Sequence, residues 1–150
     1  MYKGSCLCGS IRYEAKELNG PYVYCHCTSC RKASGSAYAA NVSSPIDTFR
    51  VVSGERYSQS FESSTDKFRY FCSRCGSPLY TIVGKDPSVV RLRLGALDST
   101  FTEPPAAHIF VSEKPGWHTI SDTLPQFDLW PDSEAFTIPG SRQPTKKSTH

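Results

Sequence analysis

Apolar positions recur along the chain in short runs separated by turn residues, and no long segment sustains the 3.6-residue apolar period of a substantial helix. The alternation of Val90, Leu92 and Leu94 with Arg91 and Arg93 predicts a half-buried strand. Further strands are predicted at 11–13, 22–24, 37–42, 49–52, 57–61, 68–71 and 79–83, with Asn19-Gly20-Pro21, Gly54, Gly84 and Pro87 marking turns. Arg31 to Ser34, just ahead of Gly35, predicts one short helical turn. This pattern favours a mainly β domain over a helical bundle or a doubly wound α/β fold. After Phe136 the apolar content falls while Pro139, Gly140, Pro144, Lys146 and Lys147 accumulate, so a single domain is expected over 1–136, followed by a flexible tail over 137–150.

A chain of 150 residues is long enough to bury roughly 70% of the surface that its unfolded form exposes, so it can build a hydrophobic core without covalent staples. Apolar residues make up 38% and charged residues 21%, the balance of a soluble globular protein rather than a disordered one. The formal net charge of +3 is too small and too scattered to mark a nucleic-acid binder. No run approaches the roughly 18 apolar residues of a membrane span, and Met1-Tyr2-Lys3 leads straight toward Cys6. The expectation is a cytoplasmic protein with no targeting segment and no membrane partner.

The seven cysteines are an odd number, which a fully paired disulfide scaffold within one chain does not accommodate. Their grouping says more. Cys6 and Cys8 form a C-x-C, Cys25, Cys27 and Cys30 a C-x-C-x2-C, and Cys72 and Cys75 a C-x2-C, with long cysteine-free segments between. Such pairs gather thiolates around zinc, a borderline-soft ion that accepts sulfur. Gly9 and Gly76 permit the tight turns that aim each pair at an ion. Seven divides naturally into a closed set of four and an open set of three, yet spacing alone allows other partitions, in which Cys25, Cys27 and Cys30 recruit a member of another pair or a histidine.

The remaining candidates are weaker. In an extended Cys25-His26-Cys27 segment the His26 side chain points opposite its neighbours, which suits an orienting or solvent-facing role better than ligation. His108 lies among apolar residues, as a core residue or a proton donor in a site wall; His118 sits in a loop and supplies no chemistry of its own. Arg31 and Lys32 would offset thiolate charge, attract an anionic thiol or simply face solvent. Ser29 and Ser34 lack any nucleophile-activation pattern.

Three stretches carry a resemblance: Gly4-Ser5-Cys6-Leu7-Cys8-Gly9, then Cys25-His26-Cys27-Thr28-Ser29-Cys30-Arg31-Lys32, then Phe71-Cys72-Ser73-Arg74-Cys75-Gly76-Ser77-Pro78-Leu79. Together with Gly95-Ala96-Leu97-Asp98, His108-Ile109-Phe110-Val111, Lys114, Trp117 and Leu124-Pro125, they resemble the glutathione-dependent formaldehyde-activating enzyme family, which includes centromere protein V-like proteins. The resemblance extends to about Phe127. It implies a small zinc-bound domain of layered antiparallel sheets, Mss4-like. It also implies two zinc ions per chain, a structural one held by Cys6, Cys8, Cys72 and Cys75 and a catalytic one held by Cys25, Cys27 and Cys30. The implied activity is that of a carbon-sulfur lyase acting on small thiol-aldehyde adducts such as S-hydroxymethylglutathione, with a small thiol, glutathione among the candidates, as partner. The alternatives are a non-enzymatic zinc module binding a protein or nucleic acid, and a redox switch built on Cys27 and Cys30.

Overall fold

A computed structural model describes residues 1–85 and 87–131; the expected domain limit at Phe136 and the tail over 137–150 lie outside the described residues. Strands β1 (Tyr2–Ser5) and β2 (Arg12–Ala15) form a hairpin. Strand β3 (Asn19–Cys25) follows, then the short helix α1 (Thr28–Ser34) and strand β4 (Ala39–Pro45). Strand β5 (Phe49–Ser53) pairs with β2 to complete a three-stranded antiparallel sheet. The remaining strands are β6 (Ser58–Ser64), β7 (Lys67–Cys72), β8 (Pro78–Val83), β9 (Val89–Arg93) and β10 (Ala107–Ile109). They join β3 and β4 in a seven-stranded sheet of order β10-β3-β4-β9-β8-β7-β6.

The domain is mainly β with layered sheets, but the larger sheet is mixed rather than wholly antiparallel. β10 runs parallel to β3, pairing Ala107 with Val23, His108 with Tyr24 and Ile109 with Cys25. Tight hairpins can only produce antiparallel neighbours, whereas the long connection between Arg93 and Ala107 has length enough to carry the chain across and return it in the same direction. A second difference lies at Asn19-Gly20-Pro21, which belongs to the start of β3 instead of a turn; the register of β3 against β4 is irregular between Asn19 and Val23, where a proline is tolerated. The short turn expected at Arg31 to Ser34 is the second half of α1, which ends where Gly35 adopts φ 62°.

Side chains alternate across the large sheet, and the pairing register sorts them onto two faces. Val42, Tyr80, Val90 and Leu92 share one face, since Leu92 pairs with both Val42 and Tyr80. That face packs on Ile11, Tyr13 and Ala15 to make the main core. The opposite face carries Val23, Cys25, Asn41, Thr81, Arg69, Lys67 and Arg91. The expected alternation in β9 therefore holds, but its arginine face is not solvated. Arg91 is half-buried and Arg93 is buried, because β9 lies in the interior of a seven-stranded sheet and Arg93 reaches Ser34 of α1 at 3.0 Å.

Gly54 joins β5 to the 3-10 turn Glu55–Tyr57 at φ 75°, and a Cβ there would lie 1.8 Å from the Ser10 carbonyl oxygen. Both the left-handed backbone and the contact with a neighbouring main chain disfavour any side chain. Gly54→Ala is expected to destabilise the fold by about 2–4 kcal/mol, a loss readable as a lower urea midpoint with an unchanged denaturant slope.

Candidate metal centres

Two turns of similar construction build the first cluster. After β1 the chain folds back so that the Gly9 N–H donates to the Cys6 carbonyl at 2.9 Å, and the Ile11 N–H points at Cys6 Sγ at 3.2 Å. After β7, the Gly76 N–H donates to the Cys72 carbonyl at 2.8 Å, with Gly76 at φ 74°. The cysteines converge through these turns rather than along an extended strand. Ser77 ties them together: the Leu7 N–H donates to its hydroxyl at 2.8 Å, and the same hydroxyl lies 3.3 Å from Cys75 Sγ. The Ser77 hydroxyl and neighbouring N–H groups lower the Cys75 thiol to about 5, the Ser10 hydroxyl lowers Cys8, and burial raises Cys72 to about 11.

The sulfurs of Cys6, Cys8, Cys72 and Cys75 lie within 4.8 Å of one another. Cys8 Sγ is 3.6 Å from Cys6 Sγ and 3.9 Å from Cys72 Sγ. A tetrahedral zinc with bonds of about 2.3 Å sets neighbouring sulfurs about 3.8 Å apart, so this donor set fits the ion. All seven cysteines are free thiols.

The second cluster is local. Cys25 ends β3, Cys27 caps α1 by accepting the Cys30 N–H at 3.3 Å, and Cys30 lies buried in the first turn of that helix. Their sulfurs also lie within 4.8 Å of one another. Hydrogen bonds hold the helix in place at both ends. The Thr28 hydroxyl donates to Glu113 at 3.1 Å, while Ser34 donates to the Cys30 carbonyl at 2.7 Å and accepts from Arg93 at 3.0 Å. Ser34 is thus a structural link and Ser29 is exposed. Three such close sulfurs do not all ionise unaided: contact with Cys27 and Cys30 pushes the Cys25 thiol up, while contact with Cys25 and Cys27, assisted by Arg69 and Lys67, favours the Cys30 thiolate. A divalent cation would resolve that conflict.

His26 points away from the cysteines on either side of it, as extended geometry requires, and it is not solvent-facing. It is fully buried, with Nε2 at 2.8 Å from His108 Nδ1. His108 Nε2 in turn lies 2.9 Å from Asp122 Oδ2. His118 stacks on His26 with ring centroids 5.9 Å apart, and Tyr38 packs against both. Burial, with His108, His118 and Lys114 nearby, lowers His26 to about 4. His26 and His108 therefore brace the segment between Cys25 and Cys27 from behind. His108 is a core residue and not part of the wall facing the thiols.

All three thiols of the second cluster line a cavity of 290 Å³. Val23, Val83, Ile109, Phe110 and Trp130 contribute apolar surface to it, and Lys67, Arg69, Arg91, Asn41 and Thr81 contribute polar surface. Phe110 enters the cavity lining from a left-handed backbone, φ 54°, a conformation costly for an aromatic residue. Lys67, Arg69 and Arg91 are the functional candidates that sequence reasoning missed. Their signal is the alternating charge within β7 and β9, but it becomes meaningful only when β8 places those strands two apart on one sheet. Arg31 and Lys32 do not line the cavity: Arg31 reaches back to Thr28, and Lys32 is exposed.

Residues 1–113 match the family model described as glutathione-dependent formaldehyde-activating enzyme. A Halomonas elongata protein named "Putative glutathione-dependent formaldehyde-activating enzyme" is 34% identical over 127 residues, covering 80% of this chain and 81% of that protein. An uncharacterized lyase of Schizosaccharomyces pombe is 28% identical over 132 residues, covering 85% of this chain and 91% of its own length. The crystal structure of a Rhodobacter sphaeroides protein aligns with a TM-score of 0.57 at 24% identity, over 66% of this chain and 90% of that one, a likeness of fold.

A closed four-thiol set and an open three-thiol set should differ in how they release metal. Titrating the purified protein with a chelator is expected to remove metal first with little change in circular dichroism, and then to remove a second fraction together with unfolding. Metal analysis at each step checks the order, and simultaneous loss of both fractions would contradict it.

Proposed function

The chain belongs to the glutathione-dependent formaldehyde-activating enzyme family, and from that premise we propose that it is a zinc-dependent carbon-sulfur lyase acting on small thiol-aldehyde adducts such as S-hydroxymethylglutathione. Cys25, Cys27 and Cys30 would hold the catalytic zinc, and Cys6, Cys8, Cys72 and Cys75 the structural one. The observation that carries this reading is the position of the three-thiol set: all three sulfurs line a cavity large enough for a ligand, whereas the other cluster already offers a full tetrahedral complement.

Zinc held by three thiolates would supply Lewis acidity and a coordination position for sulfur or oxygen of the substrate. In the cleavage direction the carbon-sulfur bond breaks, its electron pair leaves with sulfur, and the adduct's hydroxyl gives its proton to solvent as the carbonyl forms, so the products are a thiolate, an aldehyde and a solvated proton. The chain's own residues answer the charge that develops. Lys67, Arg69 and Arg91 set positive charge beside a departing thiolate, within a site where Val23, Ile109, Phe110 and Trp130 exclude part of the surrounding water. The brace formed by His26, His108 and Asp122 acts from the opposite side of β3 and holds the Cys25 and Cys27 backbone rather than touching substrate.

Replacing one sulfur by oxygen separates the two clusters. Cys27→Ser is expected to lower turnover of S-hydroxymethylglutathione or a related adduct by about 100-fold or more, with the thermal transition shifted only slightly and roughly half the zinc lost. Cys72→Ser should instead deplete folded protein, because it opens the link between the β1–β2 turn and the end of β7. Full zinc content and full activity in Cys27→Ser would contradict the assignment.

A further inference from the structure

Among the described residues only Asp66 and Phe110 carry a side chain at positive φ. Aspartate tolerates that backbone, whereas for a bulky aromatic it is an outlier. Main-chain hydrogen bonds fix Phe110 from both sides. The His26 N–H donates to the Ile109 carbonyl at 3.0 Å, the Val111 N–H to the Phe127 carbonyl at 3.0 Å, and the Glu113 N–H to the Phe110 carbonyl at 3.0 Å. Glu113 in turn accepts from the Thr28 hydroxyl in α1 at 3.1 Å. The ring lines the cavity together with Cys25, Cys27 and Cys30. Packing does not account for it: Phe110 rests on the cluster of Val23, Ala107 and Ile109 but stays half-buried. It therefore recovers only part of the free energy of full burial, while the left-handed backbone penalises the side chain. Trp130, also half-buried, lines the same cavity. Two partly exposed aromatic rings in one concave site leave apolar surface for a ligand group to cover.

The topology says which half of the substrate meets these rings. Val23 comes from β3, Ile109 from β10, and Phe110 and Trp130 from the segments beyond, whereas Lys67 and Arg69 come from β7, with β4, β9 and β8 between β3 and β7. A lyase that releases sulfur toward the cationic strands presents the aldehyde carbon, and whatever it carries, to the opposite wall. A hydroxymethyl group derived from formaldehyde offers that wall no apolar substituent. The cavity of 290 Å³ has room for more than one carbon, since a water molecule takes about 30 Å³. Resting on the lyase reading above, we infer that Phe110 and Trp130 are specificity-determining residues that receive an apolar substituent on the aldehyde half, so that the cavity selects adducts of aldehydes bearing a short alkyl chain over the formaldehyde adduct. The backbone penalty at Phe110 is then offset in the occupied cavity, where the substituent completes the burial of the ring.

Calorimetric titration of the metal-loaded protein with three thioethers tests this without reference to turnover. Hydroxyethyl propyl sulfide and bis(hydroxyethyl) sulfide are isosteric and differ only by a terminal methyl against a hydroxyl; hydroxyethyl methyl sulfide mimics the formaldehyde adduct. None can be cleaved, because none carries a hydroxyl on the carbon bonded to sulfur. The propyl compound is expected to bind about tenfold or more tightly than its isostere, and to exceed the methyl compound by about fourfold for each added methylene. Phe110→Gly removes the ring and suits the backbone; it should bring the ratio between the isosteres to about two, with metal content unchanged and the thermal midpoint unchanged or raised. A lowered midpoint with the ratio retained would show that the ring serves packing, and would overturn the inference. Should Phe110→Gly not accumulate as folded protein, Trp130→Ala reads the same ratio, and its full retention there would also overturn the inference. Equal binding of the isosteres by the unmodified protein, or binding of none of the three, would overturn the aldehyde preference. Cleavage of S-hydroxymethylglutathione by the same preparation would then leave the lyase reading standing, whereas failure to cleave any thiol-aldehyde adduct would overturn both.

Discussion

Cys25, Cys27 and Cys30 bring three ionisable sulfurs into one partly buried corner, where like charges repel with less screening than in water. The larger sheet is arranged to meet that constraint. Its site face carries Lys67, Arg69 and Arg91, and burial lowers the pKa of Lys67 and Arg91 while the nearby thiols raise it in return. Neither charge set is comfortable alone, because desolvated cations and clustered thiols each cost free energy in isolation. Held on facing elements, they offset one another. The cationic strands and the thiol-bearing helix are thus electrostatically interdependent, and Arg93 makes the dependence mechanical by donating to Ser34 in α1.

The two-residue period of a strand then divides the remaining work. Tyr24 and His108 face one side of the sheet while Val23, Cys25 and Ile109 face the other, so the support and the thiol-bearing face are built from alternate residues of the same strands. The chain formed by His26, His108 and Asp122 crosses from β3 to β10 and on to the segment beyond Trp117, and it anchors the Cys25–Cys27 backbone without occupying space in the cavity. The register of β10 on β3 sets His108 beside Tyr24 on one face and Ile109 beside Cys25 on the other.

Much of this was legible in the residues themselves. The β-rich architecture followed from short alternating runs, and both cysteine clusters from spacing and resemblance, because ligand pairs close in sequence leave a local signature. That His26 points away from Cys25 and Cys27 followed from strand geometry, whereas its full burial did not. What could not be read was anything set by which strands are neighbours. Arg91 and Arg93 look like an ordinary solvent face until β9 is seen in the interior of the sheet, and Lys67 and Arg69 join Arg91 only because β8 intervenes between their strands. His26 and His108 are 82 positions apart, and nothing local in either segment announces the other. The direction of β10 was hidden for the same reason, since a long connection permits either sense.

The sulfurs of Cys8 and Cys72 meet across a separation of 64 residues, whereas the Cys25–Cys30 set is complete within one turn of helix and the strand before it. During synthesis the local set therefore exists long before the remote one. Cys6 and Cys8 emerge first, so the four-thiol set cannot assemble until Cys72 and Cys75 have left the ribosome. A polypeptide released before Cys72 would keep Cys25, Cys27 and Cys30 as potential ligands while lacking the closure that joins the two sheets. The four-thiol set is therefore complete only in a chain that extends through Cys75.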